Sequence, residues 1–414
     1  MNHRATPRLA LAGLTCLLLA SCEAQGPEKR GGAPASETSL SPRTAAPAKA
    51  SASGGALSSA ASSTSPASPK SEHLTLLAGG DVSFGRMRGQ RLLREPKRDD
   101  FAPLAAWLRA ADLRFVNLEC PLSEQGGLTR SPINKLVFTG PPIGADALHR
   151  ADIDVVSLAN NHAWDYGHNG LLQTLKNLER THIAYVGAGR SQQRAYQPVI
   201  VEKKGWRIAF VAVTAVWNQN LNPHPGRQFI ADAKRERVLA AVRSARATRG
   251  VDRVVLSYHG GDEYETMPYP ATRALLADAI RAGADAVVAH HPHVVREIAF
   301  VDGKPILFSL GNLLMRMVTG KPWTEYGMLA RLRFDRAGGT ALSVCPLRIF
   351  GLEPIPLTGD ARRLAFFRAK LRQLLAHGAM TSPHTSATLA PFQPDGCMAV
   401  EVTKTTQPTR RKQP

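Results

Sequence analysis

The side chains best suited to metal or acid–base chemistry are concentrated in a few short polar clusters, each directly after an apolar run. Aspartate, glutamate, asparagine and histidine recur in them, and these supply the carboxylate, amide and imidazole ligands of divalent metal ions. The clusters are Gly80-Asp81, Asn117-Leu118-Glu119, Ala159-Asn160-Asn161-His162 with Asp165, residues 258–264, residues 290–293 and residues 309–312. None of them contains cysteine, which argues against a thiolate site.

Each cluster taken alone has a purely structural explanation. Asp81 could cap a turn, Asn160 and Asn161 could supply a left-handed turn residue, and His259 could be a hydrogen-bonded core residue. The three histidines within residues 290–293 are harder to explain by packing. The recurrence of ligand types behind successive apolar runs therefore indicates a metal site. The number of candidate ligands favours two ions, Mn²⁺, Zn²⁺ or Fe²⁺, about 3.5–4 Å apart.

The apolar runs alternate with amphipathic stretches over most of the chain. Predicted strands cover residues 74–78, 113–116, 153–158, 183–186, 208–213, 254–256, 286–289 and 306–310, and predicted helices cover 101–110, 170–180, 232–247 and 271–282. A hairpin is expected over 328–348 and a closing helix over 361–375. This alternation predicts an α/β domain with a largely parallel sheet. Because ligands bind beyond the carboxyl ends of such strands, the clusters should meet at one edge.

The ordered series of motifs resembles that of CapA-like capsule (poly-γ-glutamate) biosynthesis proteins. The segments that carry the resemblance are Gly80-Asp81-Val-Ser-Phe-Gly85-Arg86, Asn117-Leu-Glu119, Leu158-Ala-Asn-Asn-His-Ala-Trp-Asp-Tyr-Gly167, His259-Gly-Gly-Asp-Glu263-Tyr264, Gly283-Ala-Asp285, His290-His-Pro-His293 and Ser309-Leu-Gly-Asn312. The resemblance runs from about Leu74 to Met315. It implies a metallophosphoesterase-like (calcineurin-like) α/β fold, a layered β-sandwich flanked by helices, with the metal site at the carboxyl ends of the strands.

Transferred motif by motif, the resemblance also implies roles for individual residues. The metal ligands would be Asp81, Glu119, Asn161, His259, His291 and His293. His162 would donate a proton to the leaving group, and Asp165 would orient it. Contacts to an anionic substrate, or support for the ligands, would come from Arg86, Asn117, Asn160, Glu263, His290 and Asn312. Arg296 is a further candidate anion contact. Ser83 stands where phosphoesterases commonly have a ligand histidine, which leaves the number of metal ions open.

The first 22 residues have the pattern of a bacterial lipoprotein signal. Arg4 and Arg8 precede a twelve-residue apolar run over residues 9–20, which is followed by Ser21 and Cys22. As a helix this run rises only about 18 Å, too little to span a hydrocarbon core of roughly 30 Å. The pattern predicts secretion across the cytoplasmic membrane, cleavage of residues 1–21 and lipid anchoring through Cys22 at the cell envelope, on its periplasmic or extracellular face. An ordinary signal peptide with an incidental cysteine is the alternative.

Composition divides the rest of the chain into three parts. Residues 22–71 are rich in Ala, Ser and Pro and predict a disordered tether, residues 72–378 should form the folded domain, and residues 379–414 are expected to be a poorly ordered basic tail. Outside the signal, Cys120, Cys345 and Cys397 lie far apart in sequence, and their odd number predicts no particular bridge.

The chain is strongly basic, with 52 Lys and Arg against 33 Asp and Glu and a formal charge of +19. Anionic polymers, anionic lipid and DNA could all bind such a chain, and an Arg-rich genome explains the charge equally well. An aromatic content of 6% does not favour a base-stacking, nucleic-acid-binding protein. We therefore expect the membrane, an anionic polymer such as poly-γ-glutamate and membrane subunits of a capsule synthase as partners, and no nucleic acid.

Three hypotheses about function remain open at this stage. The leading one is a membrane-anchored CapA-like protein with a metal-dependent, hydrolase-like site that acts in synthesis, export or trimming of a poly-γ-glutamate-type polymer. The second is a non-catalytic polymer-binding or assembly module on the same fold. The third is a phosphoesterase or amidohydrolase that acts on another envelope polymer. Turnover separates the first from the second, and the substrate separates the first from the third.

Overall fold

The computed structural model describes residues 71–218, 225–381 and 385–404. Its strands are β1 (His73–Val82), β2 (Leu113–Leu118), β3 (Val155–Ser157), β4 (Ala184–Val186), β5 (Val199–Lys203), β6 (Trp206–Thr214), β7 (Arg253–His259), β8 (Ala286–His290), β9 (Ile298–Val301), β10 (Lys304–Leu307), β11 (Asn312–Leu314), β12 (Tyr326–Asp335), β13 (Thr340–Phe350), β14 (Glu353–Pro356), β15 (Thr385–Phe392) and β16 (Met398–Lys404). Its α-helices are α1 (Arg86–Arg94), α2 (Ala105–Arg109), α3 (Gly144–Arg150), α4 (Gly167–Arg180), α5 (Gln192–Tyr196), α6 (Arg235–Ala247), α7 (Pro270–Arg281) and α8 (Ala361–Thr381). The predicted signal, Cys22 and nearly all of the predicted tether lie outside the described residues.

The strands form two sheets rather than one. The first has the order β15-β16-β13-β12-β1-β2-β3-β4, with β11 beside β1 and β14 beside β13, and the second has the order β5-β6-β7-β8-β10-β9. Strands β1 to β4 are parallel to one another, as are β6, β7, β8 and β10. The remaining strands, except β11, pair antiparallel. The expectation of parallel strands is therefore right where the polar clusters lie, and the expected hairpin over 328–348 is confirmed as the antiparallel pair β12–β13. The sequence does not indicate the other antiparallel pairs.

The two sheets pack face to face around a shared core. Along β6, Ile208, Phe210 and Ala212 face this core, and the Phe210 ring stacks on Phe115 of β2 with the ring centroids 5.5 Å apart. The residues between them, such as Ala209, belong to a second core that includes side chains of α6 and α7. Because successive side chains of a strand point to opposite faces, this alternation buries both faces of the sheet. The predicted layered β-sandwich flanked by helices is confirmed.

Amphipathic spacing explains the outer helices. In α6, Val238, Val242 and Ala245 are buried at helical intervals, whereas residues 235–237 are exposed. The predicted elements all correspond to observed ones with shifted bounds, and the predicted helix over 101–110 becomes a short 3₁₀ turn followed by α2. Within the part of the chain that the structure describes, no helix combines the length and apolar character needed to cross a bilayer.

The folded body extends past the predicted boundary at residue 378. Strand β15 pairs with β16, and β16 pairs with β13, so residues 385–404 complete the first sheet instead of belonging to a poorly ordered tail. A disulfide joins Cys345 of β13 to Cys397, directly before β16, while Cys120 is buried and free. The sequence indicates no particular bridge, because spacing along the chain does not reveal which strands become neighbours.

Loss of this disulfide is expected to destabilise the fold. Replacing both Cys345 and Cys397 by alanine removes a cross-link between residues 52 positions apart. Because the cross-link restricts the unfolded chain, its loss should lower the free energy of unfolding by roughly 2–4 kcal/mol. Chemical denaturation with and without dithiothreitol measures this change. Reductant should weaken the original protein and leave the double variant unaffected; equal stability of both under oxidising conditions would contradict the cross-link.

Candidate metal centre

Parallel strands of the first sheet end at one edge, and each brings polar side chains to it. Asp81 near the end of β1 lies opposite Asn117 of β2 on one side and Asn312 of β11 on the other. Glu119 directly follows β2, and Asn161 lies shortly after β3. All five residues are buried. This is the convergence at strand ends that the sequence predicted.

The glycine before Asp81 is required by a close approach of two backbones. A Cβ atom on Gly80 would lie 1.9 Å from the carbonyl oxygen of Gly311, just before β11. The amide of Asp81 donates to that same oxygen at 3.1 Å. Only glycine leaves room for this contact. The Gly80-Asp81 pair therefore positions Asp81 against the neighbouring chain, and turn capping is not needed to explain it.

The second sheet brings histidines to the same place. His259 ends β7 and His290 ends β8, the two strands being adjacent and parallel. His259 Nε2 lies 2.8 Å from Asn161 Oδ1, and His293 Nδ1 lies 3.3 Å from Asp81 Oδ2. Side chains from both sheets therefore meet in one cluster, although they are widely separated along the chain.

Three overlapping groups of side chains in the described part of the chain have ligand atoms within 4.8 Å of one another. The groups are Asp81, Glu119 and His293; Glu119, His259 and His291; and Glu263, His291 and His293. Every carboxylate and histidine predicted as a ligand belongs to at least one group. Glu263, predicted only as a substrate contact or a support, joins them as a potential ligand. Because the groups share members, they form one continuous cluster.

Polar atoms without hydrogen-bond partners inside the cluster fit a bound cation. Glu119 Oε1 and His291 Nδ1 are buried, and neither has a hydrogen-bond partner among the residues that the structure describes. Since buried polar atoms are normally hydrogen-bonded, these two need a partner that the surrounding side chains do not supply. Mixed imidazole, carboxylate and amide donors suit hard or borderline divalent ions. The cluster therefore fits divalent metal binding by its chemistry as well as by its position.

The two buried carboxylates are electrostatically unequal. Burial opposes ionisation of Asp81, but the hydrogen bonds and charges of His290 and His293 hold its pKa well below the usual value. Burial raises the pKa of Glu119 well above its usual value, and the negative charge of Asp81 acts in the same direction. A cation between these carboxylates would remove their repulsion and favour ionisation of both.

Two of the candidate imidazole ligands, His259 and His291, are held in the neutral form that binds metals. Burial, with the charge of His293 acting in the same direction, lowers the pKa of His291 to about 3. Burial and then the charge of His291 also lower the pKa of His259 well below its usual value. Both rings are therefore neutral near pH 7, as metal ligation requires. His291 and His293 have φ angles of +97° and +56°, a strained backbone typical of functional sites.

Predicted supporting residues lie directly behind the candidate ligands. Asn117 Nδ2 donates to Asp81 Oδ1 at 2.8 Å, and Asn160 Nδ2 donates to Asn117 Oδ1 at 3.1 Å. Asn312 Oδ1 lies 3.0 Å from His293 Nδ1. These contacts fix the orientation of the carboxylate and the imidazole, which is how residues behind a metal site support it.

A second network surrounds His162. His162 Nδ1 lies 2.8 Å from Asp165 Oδ2, the pairing expected if Asp165 orients the ring. Asn218, after β6, donates to Asp165 Oδ1 at 2.6 Å and accepts from Asn161 Nδ2 at 2.9 Å. The Asn218 amide therefore contacts both Asp165, which pairs with His162, and Asn161, whose Oδ1 faces His259. The sequence analysis missed Asn218 because a lone asparagine beyond a strand carries no recognisable motif.

A cleft of about 450 Å³ opens beside the cluster. His162, Glu263 and His293 line it, and so do five basic residues: Arg86, Arg88, Arg130, Lys135 and Arg316. Glu263 is the one carboxylate among the lining residues in the described part of the chain. The guanidinium of Arg86 lies 4.4 Å from the centre of the Phe138 ring. Arg88 is buried and ion-paired with Asp100 at 3.6 Å, but the other four basic residues leave an excess of positive charge that favours an anionic ligand.

Arg296, the further candidate anion contact, does not line this cleft. It is 1% exposed, and its guanidinium donates to the backbone oxygens of Glu265 and Asp262 at 2.7 and 2.9 Å. The predicted anion contact is therefore wrong. Arg296 instead fixes the loop after β7 that carries Glu263, and only the folded structure reveals that its donors are used internally.

Comparison with known proteins identifies the family. A family model described as "Bacterial capsule synthesis protein PGA_cap" matches residues 75–317, more than half of the chain. The chain belongs to this family. The PGA_cap match contains all the candidate metal ligands and both residues of the His162–Asp165 pair.

Curated relatives share this PGA_cap region. The chain is 28% identical to the capsule biosynthesis protein CapA of Bacillus anthracis over 318 residues, which cover 76% of each chain. It is 28% identical to the PGA biosynthesis protein CapA of Bacillus subtilis (strain 168) over 283 residues, which cover 68% of this chain and 73% of the relative.

Two solved structures of other bacterial proteins align with this chain. The calcineurin-like phosphoesterase YfkN from Bacillus subtilis aligns at a TM-score of 0.43 and 15% identity, over 68% of this chain and 92% of that one. The sulfate thiohydrolase SoxB of Thermus thermophilus aligns at a TM-score of 0.39 and 16% identity, over 77% and 62%. The architecture assigned to this PGA_cap protein rests on its own strands and their pairing.

The structure brings nearly all the predicted site residues to the cluster or the adjoining cleft. The exceptions are Arg296, whose donors are used by the loop after β7, and Cys22, which lies outside the described residues. The sequence analysis missed Arg130, Lys135 and Arg316, because loop cations far apart in sequence show no shared pattern before the loops are folded together. It also assigned Glu263 to a supporting set although its carboxylate reaches His291 and His293.

Asn218→Ala is expected to weaken divalent metal binding by roughly 10–100-fold, since residues that orient a ligand typically have effects of this size. The substitution removes the acceptor of the hydrogen bond from Asn161 Nδ2, and the Oδ1 atom of the same Asn161 side chain faces His259. Isothermal titration with Mn²⁺ measures the affinity. Asn169→Ala, an exposed asparagine on α4, is the matched control and should bind as the original protein does. Unchanged affinity in Asn218→Ala would show that Asn218 does not position the ligand.

Proposed function

We propose that this PGA_cap protein is a lipid-anchored, metal-dependent hydrolase that acts in the synthesis, export or trimming of a poly-γ-glutamate-type capsule polymer. The observation that carries the proposal is the buried cluster of carboxylates and imidazoles beside a cleft lined by basic side chains. The relatives named for capsule and PGA biosynthesis support the choice of polymer. A polymer of carboxylates is an anion of the kind that such a cleft favours.

The candidate ligands of two divalent ions are Asp81, Glu119, Asn161, His259, His291 and His293, with Glu263 beside them. Bound Mn²⁺, Zn²⁺ or Fe²⁺ would supply an activated water and neutralise charge that develops on the attacked group. The buried asparagines Asn117 and Asn160 would keep the ligand set in place when the substrate binds.

The remaining chemistry is assigned to residues that line the cleft. His162 reaches the cleft and pairs with Asp165, so it is placed to hold a proton for the leaving group. Arg86, partly buried and stacked on Phe138, is placed to bind a carboxylate or phosphoryl oxygen of the substrate. The walls of the cleft would limit water around the reacting bond.

Export to the cell envelope is part of the proposal. The Cys345–Cys397 disulfide supports it, because stable disulfides form in oxidising compartments outside the cytoplasm. The signal-like N-terminus and Cys22 supply the proposed route and the lipid. An anchored protein would lie where membrane subunits of a capsule synthase release their polymer, and those subunits are its proposed neighbours.

Metal analysis of the purified protein tests the ligand assignment. The original chain should hold about two divalent ions. His291→Ala combined with His293→Ala should lose them, because each of these histidines belongs to two of the three overlapping ligand groups. His73→Ala combined with His149→Ala, at exposed positions outside the cluster, is the matched control and should retain the metal. A chain that stays free of metal after Mn²⁺, Zn²⁺ and Fe²⁺ are added would exclude the metallohydrolase.

Assays of the loaded protein on a generic phosphodiester and on poly-γ-glutamate identify the reaction. Cleavage of poly-γ-glutamate supports the proposal. Cleavage of the phosphodiester alone would assign the site to another envelope polymer. Bound metal with no turnover of either substrate would leave a binding or assembly module.

His162→Asn separates proton transfer from metal binding. Because His162 is not a member of any ligand group, the variant should keep its metal content and lose roughly 10²–10⁴-fold in turnover, the usual contribution of a positioned acid or base. Metal analysis and the rate on the identified substrate are measured together. His149→Asn, on the exposed end of α3, should match the original protein in both. Full turnover in His162→Asn would remove His162 from the mechanism.

A further inference from the structure

The six most exposed apolar side chains in the described part of the chain lie in, or within two positions of, segments that line the cleft. They are Ile133 (95% exposed), Val318 (85%), Met87 (67%), Leu136 (62%), Phe350 (60%) and Leu128 (54%). Three of them line the cleft, and each of the other three lies two positions from a residue that does. We call these six side chains the apolar rim.

The apolar rim is assembled from separate parts of the fold. Met87 belongs to α1, Val318 follows β11, Phe350 ends β13, and the other three lie in the loop between β2 and α3. A single hydrophobic stretch of sequence therefore does not account for it. Isolated exposed apolar residues are normal, but a concentration around one opening marks an interaction surface.

Positive charge accompanies the apolar rim. Arg130, Lys135 and Arg316 are exposed at the same cleft, and in the residues that the structure describes they have no carboxylate partner. Unpaired cations beside exposed apolar side chains are the combination found in proteins that lie on anionic bilayers, where apolar groups enter the interface and cations contact phosphates.

We propose that the apolar rim and these three cations dock the protein on an anionic lipid surface. A soluble polyanion would engage the cations and leave six apolar side chains in water, whereas a bilayer accounts for both kinds of side chain. The lipid at Cys22 would only tether the protein, and the rim would orient it. In combination with the proposed function, the cleft would then receive its polymer from the membrane face.

Vesicle co-sedimentation tests the docking in a chain that begins at Glu23, which lacks the apolar signal and the lipidated cysteine. The described sheets, the core and the site all lie within residues 71–404, so this chain keeps them. It should sediment with phosphatidylcholine vesicles that contain phosphatidylglycerol, and less with phosphatidylcholine alone or at high salt. Absence of binding to the anionic vesicles would overturn the proposal.

Ile133→Asp combined with Phe350→Asp, two rim positions that do not line the cleft, should lower the partition coefficient by roughly tenfold or more, a change of about 1.4 kcal/mol per factor of ten. Ala240→Asp combined with Ala274→Asp, exposed on α6 and α7, makes the same charge change away from the rim and should bind normally. Equal binding by the rim variant, or equal loss in the control, would overturn the proposal. So would binding to soluble poly-γ-glutamate without binding to vesicles.

Metal content and turnover of a soluble substrate, measured without vesicles, keep this test separate from the proposed function. Loss of vesicle binding with metal and turnover intact is the result expected for the rim variant. A protein that docks on vesicles but holds no metal would refute the hydrolase and leave the docking surface in place.

Discussion

The structure depends on the burial of two carboxylates, Asp81 and Glu119, at the joint between two sheets. A buried charge is costly unless it is paired and hydrogen-bonded, so neither side chain could lie there without the groups around it. Imidazoles from the second sheet and amides from the first supply those groups. Burial at the same joint keeps His259 and His291 neutral, and Glu119 Oε1 is left for a cation.

Strands that pair with β1 hold the buried Asp81 in place. Asp81 lies on the central part of the first sheet, between β2 and β11, and its strand also pairs with β12. Strands β12 to β16 lie beyond the matched family region of residues 75–317, yet they complete the sheet that holds Asp81. The disulfide between Cys345 of β13 and Cys397 links two of these C-terminal segments covalently. The C-terminal strands therefore stabilise the site without contributing a candidate ligand.

The polar interior and the surface of the site have different characters. Apart from Glu263, the candidate ligands are buried, and Glu119 Oε1 and His291 Nδ1 have no hydrogen-bond partner among the described residues. At the mouth of the cleft, cations and large apolar side chains are exposed together. A polymer substrate and a membrane surface would therefore meet different parts of the protein, the first within the cleft and the second around its opening.

The sequence by itself determined the strands, the main helices and the polar residues at the strand ends, because apolar periodicity and ligand type are local properties. The resemblance to a known family also implied the pairing of His162 with Asp165, and the structure brings the two side chains within 2.8 Å of each other. The tertiary structure alone decided the second sheet's antiparallel edges, the Cys345–Cys397 bridge and the roles of Asn218 and Arg296. Each of these depends on which distant segments lie side by side, and that follows from packing of the whole chain, which no local pattern encodes.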